Sequence, residues 1–75
     1  MVGAVALNAV NAFLHNLKFE NIEGYVRFNV MFLKTNDQAL KIQIFKQKNQ
    51  ILHEVNLAIE KVGYTTKVVE IRMKN

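Results

Sequence analysis

The chain has 75 residues, ten Lys or Arg against six Asp or Glu, and neither Cys nor Pro. That length allows one small domain, residues 1–75, and the missing Cys excludes a disulfide framework and a thiolate metal site. The net charge of +4 admits nucleic acid, an anionic membrane surface or an acidic protein as partner. The basic residues are scattered, however, and the densest cluster is only Phe45-Lys46-Gln47-Lys48. A hydrophobic fraction of 51% predicts a packed core, and for so small a core oligomerisation is the usual reinforcement.

The opening run MVGAVALNAVNAFLHNL carries no Asp, Glu, Lys or Arg. It predicts a helix over residues 2–17, with Asn8, Asn11 and His15 in one narrow polar stripe and apolar residues over the remaining circumference. A secretory signal wants a basic n-region, whereas Met1 is followed directly by Val2-Gly3. A spanning helix wants about 20 apolar residues, and this segment is shorter, with Asn8 and Asn11 in its middle. A helix lying on one sheet needs only one apolar face. Val5, Ala9, Ala12 and Phe13 are assigned to the sheet and a second helix. Val10, Leu14 and Leu17 are left over, and a second copy of the chain or a protein partner is expected to cover them.

Phe19 to Gly24 reads as a connection with Gly24 as its turn residue. Tyr25 to Lys34 alternates as one strand, Val26, Phe28, Val30 and Phe32 to one side and Tyr25, Arg27, Asn29 and Met31 to the other. Thr35-Asn36-Asp37-Gln38 reads as a polar turn. Leu40, Ile42 and Ile44 then alternate with Lys41, Gln43 and Phe45, predicting a second strand and an antiparallel hairpin. Asn49 is placed to cap the next helix, whose apolar face is Ile51, Leu52, Val55, Ala58, Ile59 and Val62, and Gly63 ends it. Thr66 to Lys74 predicts a third strand, with Val69, Ile71 and Met73 facing the core and Val68, Glu70, Arg72 and Lys74 facing out. The expected order is α-β-β-α-β. The expected fold is an α+β two-layer sandwich, two helices on one face of a three-stranded sheet.

Catalytic and metal signatures are missing. His15 and His53 lie on different helices without a third ligand, and His53-Glu54 is not an HExxH motif because position 57 is Leu. There is no Ser or Cys nucleophile, and Glu20, Glu23, Glu54, Glu60 and Glu70 form no converging carboxylate pair. Gly3, Gly24 and Gly63 are isolated, so no glycine-rich loop cradles a phosphate. A non-enzymatic protein without cofactor or metal is expected. The outer sheet face carries more information. Tyr25, Arg27, Lys41, Phe45, Arg72 and Lys74 interleave aromatic and cationic groups, as stacking platforms for single-stranded nucleic acid do. The plainer alternative is a half-solvated sheet or a dimer face. The aromatic RNP pattern is absent, and so is the GxxG loop of a KH domain, although KH domains can share a similar element order.

Three stretches carry a family resemblance: "LKIQIF" at 40–45, "EVNLAIEKVGY" at 54–64 and "KVVEIRM" at 67–73. They resemble the central strand, the glycine-terminated helix and the valine-rich closing strand of the alkaline-shock protein family, and "AVALNAVNAF" resembles its first helix. The Val-Asn-Val pattern of that family's last strand is replaced here by Val69-Glu70-Ile71. The cytoplasmic C-terminal domain of cation-efflux transporters is similar in element order, but its metal-ligating histidines are not matched. The alkaline-shock resemblance implies a cytoplasmic, non-enzymatic module that self-associates or binds a protein partner. Binding of nucleic acid on the outer sheet face is the alternative.

Overall fold

The computed structural model describes residues 1–74. The elements are α1 (Val2–Asn16), β1 (Glu23–Arg27), β2 (Val30–Lys34), α2 (Gln38–Lys46), α3 (Lys48–Lys61) and β3 (Glu70–Lys74). The fold is α+β around an open mixed sheet of order β1-β2-β3, with β1 antiparallel and β3 parallel to the central β2. Helices α1 and α3 pack against each other, α1 lies on β1, and α3 packs on β3 and α2.

The first hairpin differs from the periodic reading. The ten-residue strand expected over 25–34 is two strands of five, joined by Phe28-Asn29. Both turn residues have positive φ, 54° and 63°, which a two-residue type I′ turn requires. Asn tolerates that conformation, but a bulky aromatic does not, at a cost of about 1–2 kcal/mol. No Gly marks the turn, so alternation runs through it unbroken. The turn also reverses which side chains face inward beyond it. Tyr25 pairs with Phe32, Val26 with Met31 and Arg27 with Val30, and cross-strand partners share a face. Met31, expected outside, is therefore fully buried, while Val30 and Phe32 stand on the outer face with Tyr25 and Arg27.

The second departure is α2. Leu40 to Phe45 form a helix rather than a strand. Leu40 and Ile44 are buried four residues apart, while Ile42 between them is exposed. Asp37 caps this helix: its Oδ1 accepts the Leu40 N–H at 3.2 Å, and its own N–H donates to Thr35 Oγ1 at 3.1 Å. The presumed polar turn is thus a helix start. Asn49, expected to cap the next helix, lies within α3.

The inner face of α1 is wider than expected and centred elsewhere. Ala6, Val10 and Leu14 have no exposed surface, Val5, Ala9 and Phe13 pack half-buried against the core as expected, and Ala12 is exposed. The apolar circumference that appeared to need a second chain is closed by α3 on one side and the sheet on the other. Val10 and Leu14 belong to the core and offer nothing to a partner, and Leu17 is a half-buried C-cap residue of α1. Ile51, Val55 and Ile59 form the matching stripe of α3. Burial of each such side chain contributes about 1.5–3 kcal/mol.

Two asparagines set how the chain approaches the sheet. Asn11 Oδ1 accepts the Ile22 N–H at 2.8 Å, and its Nδ2 donates to the Ile22 carbonyl at 3.4 Å. Asn56 Oδ1 accepts the Val68 N–H at 2.8 Å, and its Nδ2 donates to the Val68 carbonyl at 2.9 Å. Each amide supplies both partners that a neighbouring strand would give, to a buried residue just ahead of β1 or β3. Val68 is thereby drawn inward and Val69 left exposed, the reverse of the expected alternation, which holds only from Glu70 onward.

Gly24 is a strand residue rather than a turn. A Cβ there would lie 2.6 Å from the Phe32 carbonyl oxygen and 2.7 Å from Leu33 Cδ2, so only glycine allows β1 to sit this close to β2. Gly63 ends α3 at φ 91°, with the Tyr64 N–H returning to the Ile59 carbonyl at 3.3 Å, as the sequence predicts.

Candidate functional site

The six outer-face residues singled out by the sequence divide between two surfaces. Tyr25, Arg27, Arg72 and Lys74 stand on the uncovered face of the sheet, whereas Lys41 and Phe45 lie on α2. On the sheet, Tyr25 and Phe32 stack with ring centroids 5.2 Å apart and planes inclined by 23°. Lys74 Nζ lies 5.2 Å from the Tyr25 ring centre and donates to its hydroxyl at 3.1 Å. The Tyr25 ring is therefore already engaged by a neighbouring ring and an ammonium. Arg27, Lys34, Arg72 and Lys74 outnumber Glu23 and Glu70 on this face.

The second surface is a groove of about 300 Å³ lined by Ile44, Phe45, Lys48 and the four consecutive residues Glu70 to Met73. Successive strand residues alternate between faces, so a groove that touches all four runs along the strand's side. That side is the unpaired edge of β3, whose other neighbour is β2. Ile44 and Ile71 are buried, while Phe45 is 77% exposed. Lys48 and Arg72 bring positive charge, and Arg72 belongs to both surfaces.

Glu70 is the acid in the groove. Arg72 Nε donates to its Oε2 at 3.0 Å. That hydrogen bond, with the charges of Arg72 and Lys48 behind it, holds the Glu70 carboxyl below its ordinary value. At the helix junction the carbonyl end of α2 meets the N–H end of α3, so the two helix-end charges offset each other and the lysines supply the positive charge. Only Gln47 separates α2 from α3, and its side chain does not cap α3. The first turn of this 14-residue helix has no side-chain cap and begins at Lys48, with Lys46 two residues upstream.

Periodicity hides this groove because it places Phe45 on a strand, whereas the residue lies on α2. The available signal was Asp37 as an N-cap together with Leu40 and Ile44 at helical spacing. A larger depression of about 450 Å³ between α3 and residues 64–67 is lined by His53, Asn56, Leu57, Glu60, Tyr64, Thr65, Thr66 and Lys67. The Asn56 amide there is committed to Val68, and no two of its charged side chains are paired. Among the described residues no cluster of three or more His, Cys, Asp or Glu is placed to hold a metal ion, and no helix is long and apolar enough to cross a membrane.

Comparison with family models finds none that matches the chain, and a search of curated proteins finds no significant match. The alkaline-shock and cation-efflux resemblances thus stand on residue pattern alone. The first of the stretches that carry them, residues 40–45, is a helix here.

Proposed function

We propose that the chain is a non-enzymatic module that binds single-stranded nucleic acid along the edge of β3, in the groove beneath α2. The observation that carries this reading is the convergence of an exposed aromatic and two cations on an unpaired strand edge. Phe45 offers a face for base stacking, worth about 1–3 kcal/mol per base. Lys48 and Arg72 offer charged donors to phosphate oxygens. The free N–H and C=O groups of β3 offer hydrogen bonds to the edges of unpaired bases, which a duplex would not present. Lys46-Gln47-Lys48-Asn49 joins the two helices with charged side chains where KH domains carry a glycine loop.

Self-association, expected from the apolar circumference of α1 and implied by the alkaline-shock resemblance, places its interface on Val10, Leu14 and Leu17. Two of these have no exposed surface, which moves the balance to the nucleic-acid reading. The test is fluorescence anisotropy with labelled single-stranded RNA and DNA oligonucleotides. With Lys48 and Arg72 each neutralising a phosphate, raising salt from 50 to 200 mM should weaken binding roughly 7-fold. Lys48→Ala with Arg72→Ala should flatten the salt slope by about 1.4 log units per decade. Absence of binding at 50 mM salt, where electrostatic attraction is strongest, refutes the reading.

A further inference from the structure

We infer that Phe28 and Arg27, at the tip of the β1–β2 hairpin, form a second stacking subsite for the same single strand, beyond the groove. The inference rests on the nucleic-acid reading above and extends it to a residue that the sequence assigned to the core. Phe28 sits in the left-handed region at φ 54°, where bulky side chains are outliers and where Asn or Gly is the ordinary occupant of such a turn. Packing does not compensate, since 82% of the residue is exposed. A strained, exposed aromatic in a tight turn is a local choice against stability, and such choices concentrate at functional sites.

The tip is held firmly. The Asn29 carbonyl accepts the Val69 N–H at 2.8 Å, and Asn29 Nδ2 donates to the Lys67 carbonyl at 2.8 Å, which ties the turn to the segment leading into β3. The Arg27 guanidinium carbon lies 5.2 Å from the Phe28 ring centre. One pair thus joins an aromatic surface for a base to a planar cation for the adjoining phosphate. Its position agrees with the groove. Val30 pairs with both Glu70 and Arg27, so Phe28 lies one residue beyond the Glu70 end of the groove and two strands, about 10 Å, across the sheet from β3. A strand of nucleotides leaving the groove at Glu70 turns across the end of the sheet, past exposed Val69 and Asn29, to reach the ring.

The test uses Phe28→Asn and Phe28→Trp in the full chain, with thermal unfolding and anisotropy measured side by side. Oligonucleotides of about four and about twelve residues separate the groove from the tip. Phe28→Asn should raise Tm by about 4 °C or more, because it relieves the turn. The same substitution should weaken the longer oligonucleotide at least fivefold and leave the shorter one unchanged. Phe28→Trp should retain the wild-type affinity for the longer one. Unchanged affinity of Phe28→Asn for the longer oligonucleotide, or equal loss for both lengths, overturns the subsite. A fall in Tm also overturns it, since the ring would then be structural. If Phe28→Asn instead abolishes cosedimentation with phosphatidylserine vesicles and leaves oligonucleotide binding intact, the tip is a lipid contact and the inference fails. Wild-type chain that binds neither oligonucleotide removes the groove reading itself, an outcome distinct from an intact groove with an indifferent tip.

Discussion

Asn56→Ala removes both hydrogen bonds to Val68 in one step. The Val68 N–H at 2.8 Å and its carbonyl at 2.9 Å then lose their partners, at a residue only 2% exposed. A buried donor or acceptor left unsatisfied costs about 1–3 kcal/mol. Asn56 itself is half-buried, so water reaches part of the vacated space, and the expected total is about 2–4 kcal/mol. A chain of 75 residues has roughly 4–11 kcal/mol of stability to lose. Thermal unfolding followed by far-UV circular dichroism should therefore show Tm lower by roughly 8–30 °C. Asn56→Asp separates the hydrogen bonds from side-chain volume. Its carboxylate still accepts the Val68 N–H but faces the Val68 carbonyl without a proton, so the variant is destabilised at pH 7. A protonated carboxyl has one donor and one acceptor and can restore both bonds. The folded-state pKa at position 56 then lies above the unfolded value of about 3.9. Stability relative to wild type is consequently recovered below that value and lost as pH rises through the folded pKa. A change of less than about 0.5 kcal/mol in Asn56→Ala, or a deficit in Asn56→Asp that ignores pH, would refute the proposed role of the amide.

Gly24→Ala should destabilise the chain by about 1–3 kcal/mol in urea unfolding. The nearest atom to its new Cβ is a backbone oxygen, which no side-chain rotation can move away, and a neutral outcome would mean that β1 can separate from β2 freely. Glu70 should titrate below the ordinary carboxylate range by NMR, and in Arg72→Ala its midpoint should rise toward that range. Its contribution to stability is then present above the unfolded carboxylate value and lost as pH falls through the depressed folded value. An unmoved midpoint would show that Arg72 does not set it.

The legible parts of this fold are those where one physical signal dominates. Ile51, Val55 and Ile59 recur at helical spacing and are followed by Gly63 in the conformation glycine tolerates best, so α3 and its end are readable. Ile71 and Met73 alternate with charged residues, so the inward side of β3 is readable too. Leu40, Ile42 and Ile44 fit both periods, and only packing shows that Leu40 and Ile44 are buried while Ile42 is not. Of the candidate site, Phe45 and Arg72 were legible as residues. Their meeting in one groove was not, because it depends on α2 being a helix against the edge of β3.

By itself the sequence determined an α+β domain, the order of its main elements and the absence of nucleophile and metal-ligand patterns, because these follow from residue type and near-neighbour spacing. Only the tertiary structure decided what covers the apolar circumference of α1. The energy of burying Val10 and Leu14 is the same whether the covering surface comes from another molecule or from α3, so local pattern cannot tell the two apart. The turn at Phe28-Asn29 is decided in the same way. Pairing of β1 with β2 and the bonds from Asn29 to Lys67 and Val69 hold a conformation that the local residues alone disfavour.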